Sequence, residues 1–397
     1  MSNAQVKGER NYGIELFRIF SMLMIVILHI NMNGGLMGCF PNVDAKYTTL
    51  WFGETFCFAS VNCYALISGY VMYNHKATAG KLLNMWGQVF SISALIGLYF
   101  IIFKDANIPA DKISDAFRPL TRSQYWYFTA YFGMYIIIPI LNGAINWMEK
   151  ELHKKVCVLI FIFFTIMPIA FKNDFFRTGN GSSTFWLSLM YIVGSYFGKY
   201  EVSGKKFKPL LCGLYGLICA VVLTVIVVVY SYNKGVETGY VTGQFDHLFY
   251  TNPLVVLESV FLLMCFSQLK FNSKKVKTVI KWFASSSFSV YLIHVQPIIF
   301  DFRFNGKFTF LSQFNAFIMA IEVVLFAILI YIACTVADKI RLLLFKYLHI
   351  NDCLTIMGNK LDRLFTFVLS KIQYVLSTKI GGCPSGQPPL CMYAILN

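Results

Sequence analysis

Long apolar runs separated by short polar stretches dominate the chain. The run LCGLYGLICAVVLTVIVVVY at 211–230 is long enough to cross about 30 Å of hydrocarbon as a helix. Ten segments of this kind predict an all-α fold, a polytopic transmembrane helical bundle. Their approximate limits are 14–33, 50–73, 83–103, 125–147, 156–171, 184–198, 209–230, 251–269, 279–300 and 313–337.

Composition excludes an ordinary soluble domain. Of the 397 residues, 57% are hydrophobic and only 13% are charged, against about 25% charged in soluble domains. The net charge of +15 does not indicate nucleic acid as a partner, because the Lys and Arg residues lie in the short loops between apolar segments. Eleven cysteines occur without CxxC or CxxH spacing, so no metal site is predicted.

The distribution of basic residues predicts the orientation of the bundle. An even number of spans places both termini on one side, and that side carries 22 Lys and Arg residues in its loops and tails. The opposite loops carry ten, offset by eight acidic residues. By the positive-inside rule both termini are cytoplasmic.

Two regions are predicted. Residues 1–338 form the ten-helix membrane domain, and 339–397 form a cytoplasmic tail. Within the tail, LDRLFTFVLSKIQYVL at 361–376 is too short and too charged to span, which favours an amphipathic helix on the inner membrane surface, followed by a loop-like end.

Ionisable residues inside predicted spans are costly, so each is a functional candidate. Arg18 and His29 are eleven residues apart, which places them within about 20° of each other on one helix face and about 16 Å apart along the axis. Counting helical rise from the predicted span ends places His29, Glu54, Glu258 and His294 together in the outer third of the bilayer, provided that their helices are neighbours.

Several segments carry a family resemblance. FRIFSMLMIVILHI, with Arg18 and His29, resembles the Arg-x10-His motif in the first helix of the membrane acyltransferase 3 family. Four further segments resemble later helices of that family in the same order: NCYALISGYVMY (62–73), YWYFTAYFGMYIIIPILN (125–142), FWLSLMYIVGSYFGKY (185–200) and FSVYLIH (288–294). The match spans roughly 10–338.

The resemblance implies an integral enzyme of the bacterial cytoplasmic membrane. Such an enzyme moves an acyl group, usually acetyl, from a coenzyme A thioester to a hydroxyl of a cell-surface or lipid-linked polysaccharide. Acetyl-CoA or another acyl-CoA is then a cosubstrate, and no permanently bound cofactor is expected. The bilayer, the acyl-CoA and the glycan acceptor are the expected partners.

The candidate residues suit this chemistry. His29 is the expected general base, with Glu54 to orient it and Glu258 as the substitute. Arg18 is expected to bind a phosphate of coenzyme A. No residue is an obvious acyl-enzyme nucleophile, which favours direct transfer. The expected contacts to the sugar come from His294, Tyr125, Trp126 and Tyr127.

Other interpretations of the same residues stay open. Arg18 can pair with Glu15 near the membrane surface, and His294 can be a polar bridge between helices. Close helix packing explains the presence of Asn62, Ser68 and Gly69 equally well. Two other functions stay open. Buried ionisable groups at one depth also indicate a transporter or flippase of glycans or small anions. The third alternative is a sensor or scaffold without turnover.

Overall fold

The chain folds entirely into helices and connecting turns wherever the structure describes it. The computed structural model describes residues 10–103, 107–200 and 208–380, and no strand occurs in these ranges. The predicted all-α class is confirmed. The α-helices in these ranges are α1 (Tyr12–Asn31), α2 (Ala45–Phe58), α3 (Ser60–Met72), α4 (Ala79–Phe103), α5 (Ala110–Asp115), α6 (Trp126–Trp147), α7 (Lys150–Phe161), α8 (Met167–Ala170), α9 (Thr184–Tyr200), α10 (Pro209–Thr238), α11 (Pro253–Ser267), α12 (Lys274–Ala284), α13 (Ser287–His294), α14 (Pro297–Ile299), α15 (Ala316–Tyr347) and α16 (Ile350–Ile380).

Many of these helices are long and apolar enough to cross a bilayer. In the described part of the chain seven stretches qualify, and an eighth is formed by Lys274–His294 and Pro297–Phe304 if that pair, bent by 60°, is one span. The chain is therefore a polytopic membrane protein. All ten predicted spans coincide with a helix or helix pair, but α11 is a shorter apolar helix and α9 has 17 residues. The number of spans and the cytoplasmic termini stay predictions.

The two shortest predicted spans are accommodated in different ways. The segment predicted at 156–171 begins earlier, at Lys150, and continues through a π-helical turn, Ile162–Ile166, into α8. The segment predicted at 184–198 is α9, whose side chains are mostly buried against α3, α6 and α7. One segment gains length and the other is shielded from lipid by its neighbours.

Close packing of α3 against α9 depends on glycine. A Cβ atom at Gly69 would overlap the backbone of Tyr191, and one at Gly194 would overlap the backbone of Leu66. Small residues that let two backbones approach are the usual basis of helix association in membranes. Gly69 is therefore a packing residue, and this contact fixes the position of α3 beside the centre of the bundle.

The first helix lies at the centre of the bundle. It packs against α2, α3, α11, α12, α13 and α15. The Asn11 side chain caps its first turn by accepting hydrogen bonds from the backbone N–H groups of Gly13 and Ile14. The same side chain donates to the carbonyl of Ser267 at the end of α11, at 2.9 Å. The start of α1, and with it Arg18, is thus held at a fixed height against its neighbour.

The tail continues the helical fold. Helix α15 passes through residue 338, the predicted domain boundary, without a break, and α16 includes the predicted amphipathic segment 361–376. Helix α16 packs on α4, where the Asp362 side chain accepts a hydrogen bond of 2.7 Å from the backbone N–H of Ala79. The division into two regions stays a prediction, and the predicted loop-like end beyond residue 380 lies outside the described residues.

Candidate active site

The two histidines predicted at one depth meet in the structure. Nδ1 of His29 and Nε2 of His294 are 2.9 Å apart, and Nδ1 of His294 lies 2.6 Å from the carbonyl oxygen of Val290. His294 is buried, with 2% of its surface exposed, whereas His29 is partly exposed. The Phe300 and His29 rings pack edge to face, with 5.1 Å between their centroids.

The carbonyl of Val290 assigns the tautomers of the pair. A carbonyl only accepts, so Nδ1 of His294 carries the proton that it donates, and Nε2 of the neutral ring is then an acceptor. Nδ1 of His29 must donate to that acceptor. Nε2 of His29 is left with a lone pair, which is the state that a general base requires.

A bend after α13 places His294 at the site. Gln296 and Pro297 interrupt the helical path, and the Gln296 side chain caps α14 by accepting from the N–H groups of Ile298 and Ile299. Beyond the bend, the N–H of Phe308 donates to the carbonyl of Gly34, which follows α1. The segment that follows the bend is therefore held by a backbone hydrogen bond to the turn after α1.

Arg18 borders a partly open cavity between the helices. The cavity has a volume of about 270 Å³ and is lined by Arg18, Tyr64, Ile67, Ser68, Met72, Met85, Gln88, Tyr127, Tyr131, Ala284, Ser285, Ser287 and Phe288. Arg18 also lies 3.3 Å from both carboxylate oxygens of Glu15, which pairs with Arg10 as well. Arg18 therefore both pairs with Glu15 and lines a cavity in which a ligand could contact it.

Aromatic rings connect the cavity to the histidines. Tyr127 lines the cavity, its ring lies 6.2 Å from that of Tyr291, and Tyr291 lies 6.4 Å from the His294 ring. The hydroxyls of Tyr127 and Tyr291 are buried and have no hydrogen-bond partner among the described residues. The Tyr127 and Tyr291 rings thus form a chain of contacts from the cavity to His294.

The two carboxylic acids lie apart from the histidine pair in the hydrogen-bond network. Glu54 is fully buried and accepts from the Asn31 side chain at 3.1 Å, while neither oxygen of the buried Glu258 has a partner within the described ranges. No hydrogen bond in these ranges joins either acid to His29, whose Nδ1 is engaged by His294. An orienting role for Glu54 or Glu258 has no contact to support it.

The three predicted aromatic sugar contacts lie in different surroundings. The hydroxyl of the buried Tyr125 donates to the carbonyl of Leu292 at 3.1 Å and so ties α6 to α13. Tyr127 belongs to the cavity. Only Trp126 is exposed, with 38% of its surface accessible, and its ring stacks on that of Tyr250 at 5.9 Å. Of the three, Trp126 alone presents a ring outside the bundle.

A hydrogen-bonded loop holds Tyr250 in position. The N–H of Tyr250 donates to the carbonyl of Asn180. The turn that contains Asn180 is organised by the Asp174 carboxylate, which accepts hydrogen bonds from the N–H groups of Thr178, Gly179 and Asn180 and from the Thr178 hydroxyl. Partial burial alone would raise the pKa of Asp174, but these donors outweigh it and lower the pKa below its usual value. The turn that holds Tyr250 beneath Trp126 is therefore stabilised by an ionised carboxylate.

The sequence alone does not identify several residues of the site. Tyr64 and Ser68 are four residues apart on α3 and both line the cavity, a spacing that the sequence shows but that does not reveal which face is internal. Tyr291 and Phe300 flank the bend, which the Gln296-Pro297 pair signals. Asn31 follows His29 by two residues, and its contact with Glu54 depends on how α1 and α2 cross.

The comparison with known families is decisive for the class of protein. The model of the acyltransferase 3 family, described as an acyltransferase domain, matches residues 11–338. The chain belongs to this family. No curated protein and no solved structure matched the chain. The family match supports a membrane-embedded acyltransferase that handles an acyl donor and an acceptor, and the Arg18–His29 segment lies inside the matched region.

Proposed function

We propose that this acyltransferase moves an acetyl or other short acyl group from a coenzyme A thioester to a hydroxyl of a cell-surface or lipid-linked polysaccharide, in a bacterial cytoplasmic membrane. One observation carries the proposal: the hydrogen-bonded chain from the Val290 carbonyl through His294 to His29 leaves Nε2 of His29 as a free base. Acyl transfer to an alcohol needs such a base.

The reaction uses His29 twice. Its Nε2 removes the proton of the sugar hydroxyl as the oxygen attacks the thioester carbonyl. When the tetrahedral intermediate collapses, the C–S bond breaks, and the proton on Nε2 passes to the departing thiolate to give free coenzyme A thiol. His294 accepts the Nδ1 hydrogen bond throughout, so it holds the ring in place and stabilises the cation formed in between.

The donor is proposed to enter at Arg18. A guanidinium matches phosphate oxygens, and the cavity beside it offers the hydroxyls of Tyr64, Ser68 and Tyr131 along its wall. The Tyr127 and Tyr291 rings lie between this cavity and His294, so they must turn aside for the thioester to reach His29. Their unpartnered hydroxyls are then available to the amides of the pantetheine arm or to the developing oxyanion.

The acceptor is proposed to approach from the side of Trp126. This exposed ring, stacked on Tyr250, offers a flat apolar face of the kind on which sugar rings pack. His29 is partly exposed, in contrast to its buried partner, and we propose that the acceptor reaches Nε2 from this exposed side of the residue.

Thiol release tests the proposed function. Membranes containing the protein are supplied with acetyl-CoA and an acceptor glycan, and free coenzyme A thiol and glycan ester are measured together. We expect both to rise in equal amounts, and only when donor and acceptor are present. Movement of glycan or anion across the membrane without thiol release would overturn the proposal and favour a transporter.

A further inference from the structure

A groove open to lipid lies beside the bend that follows His294. It has a volume of about 310 Å³ and is walled by α4, by the bend between α13 and α14, and by α15. Its lining is almost entirely apolar: Ile92, Leu95, Ile96, Tyr99, Phe100, Ile293, Ile299 and Ala337. Leu95 and Tyr99 at the rim are exposed, so in a bilayer the groove faces hydrocarbon.

A buried ion pair completes the lining of this groove. Nε and Nη2 of Arg341 donate to Oδ1 of Asp338 at 3.0 and 2.7 Å, and the two residues are only 8% and 1% exposed. The other oxygen of Asp338, Oδ2, has no partner among the described residues. Both residues belong to α15 and lie just beyond the predicted span 313–337, at the end of the bundle that the predicted orientation places at the inner membrane surface, where lipid headgroups are found.

The charges of the pair restrict what fits there. A bare phosphate would meet the Asp338 carboxylate, and a bare cation would meet the Arg341 guanidinium, so neither gains from the site as a whole. A head that carries a phosphate beside an ammonium group with N–H donors balances both charges, with the phosphate toward Arg341 and the ammonium toward Oδ2 of Asp338, whereas the neutral hydroxyls of a glycerol headgroup leave the carboxylate charge uncompensated. An apolar groove that continues from this pair suits an acyl chain.

We propose that the groove is a binding site for one phospholipid with a primary ammonium headgroup, such as phosphatidylethanolamine. The ammonium donates to Oδ2 of Asp338, the phosphate accepts from Arg341, and an acyl chain lies along Ile92, Ile96 and Ile293. A quaternary ammonium headgroup lacks the N–H donor and leaves Oδ2 unsatisfied. This site is independent of the proposed acyl transfer.

Lipid retention tests the proposal. The full-length protein is reconstituted in nanodiscs of phosphatidylethanolamine, phosphatidylcholine or phosphatidylglycerol, extracted gently into detergent, and analysed by native mass spectrometry. We expect one phosphatidylethanolamine to be retained about tenfold or more above either other lipid, the ratio that one charge-assisted hydrogen bond supplies. Equal retention of the three lipids would overturn the proposal.

Two variants on α15 locate the site. Ala337→Trp fills the groove and leaves the ion pair intact, so it should abolish the preference without unfolding the protein. Val336→Trp is the matched control, because Val336 is 45% exposed and does not line the groove. Asp338→Asn should reduce the preference as well. Retention that is unchanged in Ala337→Trp, or lost equally in Val336→Trp, would place the lipid elsewhere and refute the assignment.

Discussion

At the residue scale, the account depends on what each polar side chain inside the bundle contacts. Arg18 and Arg10 both pair with Glu15, but of the two only Arg18 lines the cavity. Comparing substitutions at the two arginines therefore distinguishes a role in ion pairing from a role in binding the donor. This difference makes Arg10 a control for Arg18.

Substitution Arg18→Ala should weaken donor binding. Loss of a charge-assisted contact to phosphate is expected to raise the KM for acetyl-CoA about 10- to 100-fold, with a smaller change in kcat. Arg10→Ala should leave KM near the wild-type value. Steady-state thiol-release kinetics on both variants give the answer, and an equal effect of the two substitutions would assign Arg18 to ion pairing alone.

His294 is expected to act through His29 rather than on the substrate. His294→Phe keeps an aromatic ring but removes the acceptor for Nδ1 of His29, so kcat should fall at least about tenfold while the KM for acetyl-CoA stays unchanged. His294→Gln retains an acceptor and should recover part of kcat. A rise in the KM for the glycan with kcat preserved would instead support the sugar contact expected from the sequence.

Helical rise predicts the depth of a side chain in the bilayer but not its partners. It predicts one depth for His29 and His294, and the structure brings them within hydrogen-bond distance. It predicts the same depth for Glu54, yet that carboxyl group contacts Asn31. Depth along a membrane normal follows from residue number, whereas the direction in which a side chain points also depends on helix rotation and crossing angle.

At the element scale, close packing of α3 and α9 should limit stability. Gly194→Leu places a side chain against the backbone of Leu66, so the helices must separate, at a cost of about 1–3 kcal/mol or more. We expect a lower Tm in detergent and a lower yield. Gly213→Ala on α10 is the control, since a Cβ there makes only ordinary contact with the Cys265 sulfur. Equal Tm values would show that this helix contact is not limiting.

The elements themselves follow closely from the apolar pattern. Every predicted span coincides with a helix or helix pair because a backbone in hydrocarbon must satisfy its hydrogen bonds internally. The 60° bend between α13 and α14 lies inside one predicted span, 279–300. Hydropathy does not report such a bend, because Gln296 and Pro297 interrupt the helix without interrupting the apolar run.

At the scale of the whole molecule, the predicted topology of ten spans with cytoplasmic termini would place Cys39 outside and Cys353 inside. Cys39 is partly exposed and Cys353 is exposed. A membrane-impermeant thiol reagent should label Cys39 in intact cells and Cys353 only after permeabilisation, with Cys39→Ser and Cys353→Ser identifying each signal. Labelling of Cys353 in intact cells would reverse the orientation or change the number of spans.

The central claim concerns the whole site: Nε2 of His29 removes the proton of the acceptor hydroxyl. Its most direct test is transfer of labelled acetyl from acetyl-CoA to glycan by membranes with equal amounts of wild type, His29→Ala and His349→Ala, the last being a control at an exposed histidine. We predict that His29→Ala loses about 10²–10⁴-fold in rate and that His349→Ala retains the wild-type rate. Glycan acetylation by His29→Ala at the wild-type rate would contradict the account.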